Sequence, residues 1–359
     1  MPRIIQPVVS PRGRVIVLTG ATLWLVAAMV LSAMPDGARA TTRPPTNTVE
    51  MAVTNVLDRV EELDGAPGML FYPRVTTDAR GRAYVADEGQ HHVVRLAADL
   101  RTAEVIFGRE GAGPGEMKLP HDVAVDSNGN VFVADLELGR ISKFTADGTF
   151  VRSIAAPRAA ALLVDSQDRL LVYPASGTAL LQRYDNDLEE AGTLLEKSDP
   201  KRHRSSVGVL IAMGPQDRLY VFDQTVSTVS IYDREMQPVD EWNVNPPGLR
   251  ETIEAHVAAM RARMPEGNGA HWNGIQSMDI DPRGEYLSFS YLIREESGEK
   301  YTKVAWYTVD GEYLGVDVRD VKVLSSAILL NNWILEADAE AIRVVARTSQ
   351  QKPTLSGNN

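Results

Sequence analysis

The sequence contains no cysteine. Disulfides and a lipidated N-terminal cysteine are therefore both excluded. Positive charge is also in short supply: 37 Lys and Arg against 48 Asp and Glu give a net charge of −11. The first 40 residues hold four Arg and one Asp, so the remainder carries about −14. An acidic domain does not attract phosphate backbones, which argues against a nucleic-acid partner. H-E-x-x-H, G-x-S-x-G and G-x-x-x-x-G-K-[ST] are all missing. Nothing therefore points to a zinc protease, a serine-hydrolase elbow or a P-loop. Gly108–Gly115 is glycine-rich but opens no helical pattern, so it reads as a connection and not a phosphate cradle.

One long apolar run is present, at the start. Arg3, Arg12 and Arg14 precede Val15–Met34, an almost uncharged stretch, and Ala38-Arg39-Ala40 follows. That is the layout of an export signal with an A-x-A cleavage site. Residues 1–40 are therefore expected to be a signal peptide or, uncleaved, an anchor through residues 15–34. The protein is expected to be exported, periplasmic or secreted, touching a membrane only through this segment. Without disulfides its stability would rest on a packed core, and the chain is long enough to supply one. Residues 41–48 read as a polar linker and 49–359 as one domain.

The strongest signal in that domain is internal repetition. PGMLFYPRVTTDARGRAYVADEG runs from Pro67 to Gly89, and PGEMKLPHDVAVDSNGNVFVADLELGR from Pro114 to Arg140. Gly81 matches Gly129 and Asp87 matches Asp135, both 48 residues apart. Strand-like alternation at such a period means a repeat architecture. In the clearest unit, four β-rich segments are separated by turn residues, including Asn128-Gly129. Similar turns begin at Asp78, Asp126, Asp165, Gly214 and Asp281. A fainter last unit covers Trp333–Ser349 and lacks an outer strand. Val49–Val60 precedes the first unit as an outer strand would, so it is expected to close the last blade. Pro247–Met264 breaks the pattern, with Leu249, Ile253, Val257, Met260 and Met264 at helical spacing.

Gly111–Val151 resembles the NHL-type propeller repeat nearly throughout, in the order G-P-G-E, P-x-D-V-A-V-D, G-N-V-F-V-A-D, R-I, D-G-x-F-V. The likeness is strong over Gly65–Ile154 and weakens beyond Trp242. The expected fold is an all-β, six-bladed β-propeller, with the N-terminal strand closing the last blade and one helical insertion (residues 247–264). The resemblance implies a funnel-shaped mouth and no single activity.

Within that frame, Arg74, His121, Arg158 and Trp272 fall at or before inner strands, on one mouth of the ring, and form the expected ligand-binding set. Guanidinium groups grip carboxylates and phosphates, so an anionic ligand is expected. The competing explanation for the arginines is a salt bridge to an acid such as Asp122. Amidating lyases, which share the propeller, carry zinc-binding histidines on several blades. Here only His121 matches, while His91 and His92 read as a surface turn. A zinc site needs about three protein ligands. Asn273-Gly274-Ile275 is similar to the metal-holding segment of gluconolactonase-type propellers, but the glutamate those carry in the first blade is missing. The D-x-x-G turns lack the ligand order of a calcium loop. No metal or cofactor is expected. The recurring Asp87, Asp135 and Asp223 read as acceptors for loop amides. The favoured role is binding of an unknown small molecule, peptide or protein. The alternatives are a metal-dependent lyase or lactonase-type enzyme and a protein–protein interaction scaffold.

Overall fold

The computed structural model describes residues 52–57, 73–97 except 79, 103–197, 209–246 except 225, residue 249, 275–294 except 282, 300–319, 325–328, 333–337 and 342–346. All of these belong to the unit Thr46–Asn359.

Five four-stranded antiparallel sheets follow one another along the chain. The first is β2 (Arg74–Thr77), β3 (Ala83–Asp87), β4 (His92–Leu96) and β5 (Ala103–Phe107). The second is β6 (Pro120–Val125), β7 (Val131–Asp135), β8 (Arg140–Phe144) and β9 (Phe150–Ala155). The third is β10 (Ala159–Val164), β11 (Leu170–Pro174), β12 (Ala179–Tyr184) and β13 (Glu190–Glu196). The fourth is β14 (Val209–Met213), β15 (Leu219–Asp223), β16 (Thr228–Tyr232) and β17 (Pro238–Asn243). The fifth is β18 (Ile275–Ile280), β19 (Tyr286–Arg294), β20 (Lys300–Thr308) and β21 (Tyr313–Arg319).

A further four-stranded sheet joins the two ends of the chain. β22 (Ser325–Ile328), β23 (Trp333–Ala337) and β24 (Ile342–Ala346) are completed by β1 (Ala52–Leu57), in the order β1-β24-β23-β22. β1 pairs antiparallel with β24, as its position ahead of the first repeat predicts. The first strand of each sheet lies beside the first strand of the next, and β22 returns to β2. The sheets are thus the blades of a propeller closed by strand exchange between its ends. Of the helix expected over Pro247–Met264, all but Leu249 lies outside the described residues. Leu249 is buried, and its N–H donates to the Pro246 carbonyl at 3.2 Å.

The core lies between blades. One apolar cluster joins Tyr84, Val93 and Phe107 of the first blade to Val123, Val133 and Phe144 of the second. Others join the second to the third, the third to the fourth and the fourth to the fifth. This explains the burial patterns of single strands. Strands β3, β7 and β11, second in their blades, are buried at every residue. The outer strand β9 alternates half-buried and exposed residues, as one solvated face requires.

Turn chemistry holds adjacent blades in register. In four of the five described turns after an inner strand, the first residue is an acid that accepts downstream amides; Gly214 takes that place in the fourth blade. Asp126 Oδ1 accepts from Asn128 N and Asn130 N at 3.0 and 2.8 Å, and Asp165 Oδ1 from Gln167 N and Arg169 N at 2.9 and 3.0 Å. The fourth residue is left-handed: Gly81, Gly129, Asp168, Asp217 and Gly284 all have φ between 57° and 86°. The two aspartates reach back to the preceding blade. Ser127 donates its N–H and hydroxyl to Asp168 at 2.8 and 2.7 Å, and Ser166 does the same to Asp217 at 2.7 and 2.6 Å. At the next junction Pro215 occupies the serine position. A Cβ on Gly284 would meet its ring at 2.8 Å, so only glycine fits there.

Candidate functional site

The end of the propeller at which the inner strands begin also carries the turns between second and third strands. A local irregularity marks the second blade there. Pro120 lies opposite Asp135 and Asp122 opposite Ala134, which leaves His121 as a bulge with no cross-strand partner. Pro73 and Pro120 are 47 residues apart, whereas Gly81 and Gly129 are 48 apart. His121 is the added residue. It sits inside β6, not before it. Equivalent bulges fall at Ala160 in β10 and Gln276 in β18. A bulge re-aims its side chain, and of these three only His121 is titratable.

His121 points its Nδ1 at Glu88 Oε1, 2.7 Å away, and both side chains are nearly buried. Glu88 follows Asp87 at the end of β3, so the pair bridges the first and second blades. A carboxylate can only accept, so Nδ1 carries the hydrogen and Nε2 is left for another partner. The neighbouring Asp122 accepts the Leu162 N–H through Oδ2 at 2.7 Å, which reaches the third blade. Burial pushes the Asp122 carboxyl above the ordinary carboxylate range. The Leu162 N–H opposes that shift first, followed by the charges of Arg74 and His121.

Arg74 opens β2 opposite Ala86, just as Asp122 lies opposite Ala134. Arg74 and Asp122 are therefore equivalent positions in neighbouring blades. The Arg74 side chain is half-buried and makes no ion pair with a described residue. The expected salt bridge to Asp122 is thus a longer-range attraction. Arg158 stands apart from this group. It is exposed, left-handed at φ 62°, and lies in the turn before β10. Its charge bears on Tyr173 and on Lys197, among other interactions. Trp272 lies outside the described residues.

Two readings of the sequence need correction or completion. His92 is not on a surface turn: it begins β4 opposite Asp87 and is 4% exposed. Glu88 was missed. The repeat places Leu136 at its position in the second blade, and that departure beside the mouth was the available signal. Asp87 and Asp135 do accept loop amides. Asp87 Oδ1 takes Gly89 N at 2.8 Å, and Asp135 takes Lys118 N at 2.7 Å and Leu138 N at 2.9 Å.

The NHL repeat family matches residues 118–144, which span the end of the entry loop and β6 to β8. The chain carries an NHL repeat in a β-propeller. The propeller is 34% identical over 117 residues to a probable peptidyl-α-hydroxyglycine α-amidating lyase of Caenorhabditis elegans. That match covers 31% of this chain and 33% of the relative. It is 44% identical over 45 residues to the protein lin-41 of the same organism, covering 12% of this chain and 4% of the relative. The NHL propeller thus spans a third or less of the length of these two relatives. A member of the DUF4221 family from Bacteroides vulgatus has the same fold with a TM-score of 0.56 at 12% identity, covering 84% of this chain and 98% of that one. Among the described residues of the propeller, no group of three or more His, Asp and Glu converges as a metal site.

Proposed function

We propose that the protein is an exported propeller that binds an anionic ligand where the inner strands of the first and second blades begin. The observation that carries this reading is Arg74, a half-buried guanidinium with no ion pair among the described residues. Beside it, His121 is held by Glu88 and presents Nε2. A guanidinium in this setting favours a carboxylate or phosphate, which it grips through two parallel N–H groups. Ligands of this class include small acids, acidic peptides and acidic segments of proteins. Export is supported by the basic start, the apolar run Val15–Met34 and Ala38-Arg39-Ala40. Mass measurement of the mature N-terminus tests it.

The binding test is a screen of soluble ligands against the full chain, followed by Arg74→Ala. Acidic hits are expected, and the substitution should weaken them about tenfold or more with little change in melting temperature. Neutral or cationic hits, or equal binding by the variant, would refute the reading.

A second reading rests on the Glu88–His121 pair. A carboxylate-oriented imidazole is the arrangement from which a general base is built, and one relative of this chain is named a lyase. Stoichiometric zinc or calcium in the purified protein would shift the assignment towards such an enzyme.

A further inference from the structure

The junction of the fourth and fifth blades carries a buried polar side chain that the preceding reading does not use. Gln224 follows β15, at the end of the propeller where the inner strands begin. It stands ten residues after Gly214, as Glu88 stands ten after Asp78. Gln224 is therefore the fourth blade's counterpart of Glu88. Glu88 reaches His121 of the next blade, the bulge five residues before Asp126. The residue five before Asp281 is Gln276, also a bulge and half-buried. Between the second and third blades the same two positions hold Leu136 and Ala160, and between the third and fourth Ala175 and Val209. Of these four junctions, only the first and the last bring polar side chains to both positions. In the cyclic order of the inner strands they lie on opposite sides of the mouth.

The two polar junctions differ in one respect. The Glu88 carboxylate has its imidazole. Gln224 is 4% exposed, and its Nε2 and Oε1 both lack a hydrogen-bond partner among the described residues. The interior of the junction is apolar: Phe222, two residues before Gln224, and Ile275, next to Gln276, share one buried cluster with Leu249. A carboxamide buried in this way forfeits the hydrogen bonds that water gave it, so the position calls for a partner. The chemistry of that partner follows from the group. A carboxamide presents an N–H and its C=O on one edge, a donor beside an acceptor. An anion answers only the donor, and a cation only the acceptor. Another amide answers both when its own N–H and C=O lie side by side, as in a primary carboxamide or a lactam. The trans amide of a peptide bond points the two in opposite directions. Val226, in the same turn, is 49% exposed, so the Gln224 amide lies just beneath the surface.

We propose that this junction is a binding subsite for an amide edge, in which the Gln224 carboxamide, with Gln276 beside it, pairs with a primary carboxamide or lactam of a ligand. It shares no residue with the Arg74–His121 group and does not depend on that reading.

The test uses the full chain and ligand-observed NMR titrations with three neutral probes: propionamide, pyrrolidinone and N-methylacetamide. Propionamide or pyrrolidinone is expected to bind at millimolar concentration or better, and the one that responds tells a carboxamide from a lactam. N-methylacetamide, a trans amide, should bind about tenfold more weakly. Gln224→Met keeps the length of the side chain and removes both polar atoms, and should weaken binding about tenfold. Arg74→Ala should leave it in place. Binding unchanged by Gln224→Met overturns the site, as does equal binding of N-methylacetamide. Absence of binding by both propionamide and pyrrolidinone overturns it too; a raised melting temperature in Gln224→Met would then mark the amide as merely unsatisfied. A signal lost in Arg74→Ala and kept in Gln224→Met assigns the amide to the first site and overturns this one. If Gln224→Met fails to fold, Gln276→Ala, at a half-buried position, carries the same expectation.

Discussion

A single imidazole, His92, turns a packing decision into a pH response. It begins β4 in contact with the interior, and its Nε2 meets no hydrogen-bond partner among the described residues. Burial lowers its pKa below the ordinary 6.5; the Asp87 charge opposes that shift and His91 adds to it. The unfolded chain therefore binds a proton at His92 before the folded one does. Stability is full above 6.5 and falls as pH drops through that value, with a slope of at most about 1.4 kcal/mol per pH unit from this one group. Chemical denaturation across mildly acidic pH should show the slope in wild type and a flatter one in His92→Gln. Equal slopes would show that His92 is not the group responsible. The sequence hides this residue because a His-His pair after a turn looks polar; only the strand register, Asp87 opposite His92, turns it inward. Residues that obey the repeat were easier to read. Arg74 and His121 come from distant positions to neighbouring strands, as the repeat frame predicts. Glu88, which completes the group with His121, departs from the repeat and was passed over for that reason.

At the scale of strands and turns, the junctions between blades show why the turn after the inner strand varies. Asp168 sits at φ 59°, where glycine would be the unstrained choice. Its carboxylate offsets that cost by accepting two hydrogen bonds from Ser127 of the previous blade. Strain of this kind is worth roughly 1 kcal/mol, and each hydrogen bond at this exposed turn about 1–1.5 kcal/mol. Asp168→Gly relieves the strain and loses the bonds, so it should destabilise by about 1–2 kcal/mol. Asp168→Ala keeps the strain and should cost about 1 kcal/mol more. In a double-mutant cycle, Ser127→Ala should have little further effect once Asp168 is Gly. Full additivity would show that the two residues do not act together. The turns themselves were legible, because Asp, Asn and Gly at fixed offsets leave few backbone choices. Their link across blades was not, since Ser127 and Asp168 are 41 positions apart and only the ring makes them neighbours.

For the whole molecule, closure of the ring decides whether six sheets behave as one unit. The inner strands touch in cyclic order, and the sheet that completes the circuit takes β1 from one end of the domain and three strands from the other. Pairing runs from Ala52 opposite Ala346 to Leu57 opposite Ile342, with one register shift between Val53 and Asn55. This arrangement was foreseeable because Val49–Val60 holds an outer-strand position with no blade before it, while the last unit lacks an outer strand. Its consequence is cooperative. Without β1, β24 becomes an edge strand with unpaired N–H and C=O groups, a template for pairing with other chains. Removing residues 41–60 from the mature domain should therefore cost several kcal/mol, on the order expected for losing a packed strand, and promote aggregation. The measurements are melting temperature and light scattering of the truncated domain beside the intact one. A synthetic peptide spanning residues 49–60 should restore both by refilling the edge in trans. An unchanged melting temperature and full solubility without β1 would show that the remaining blades hold together unaided, and that the end-to-end pairing contributes nothing to the stability of the ring.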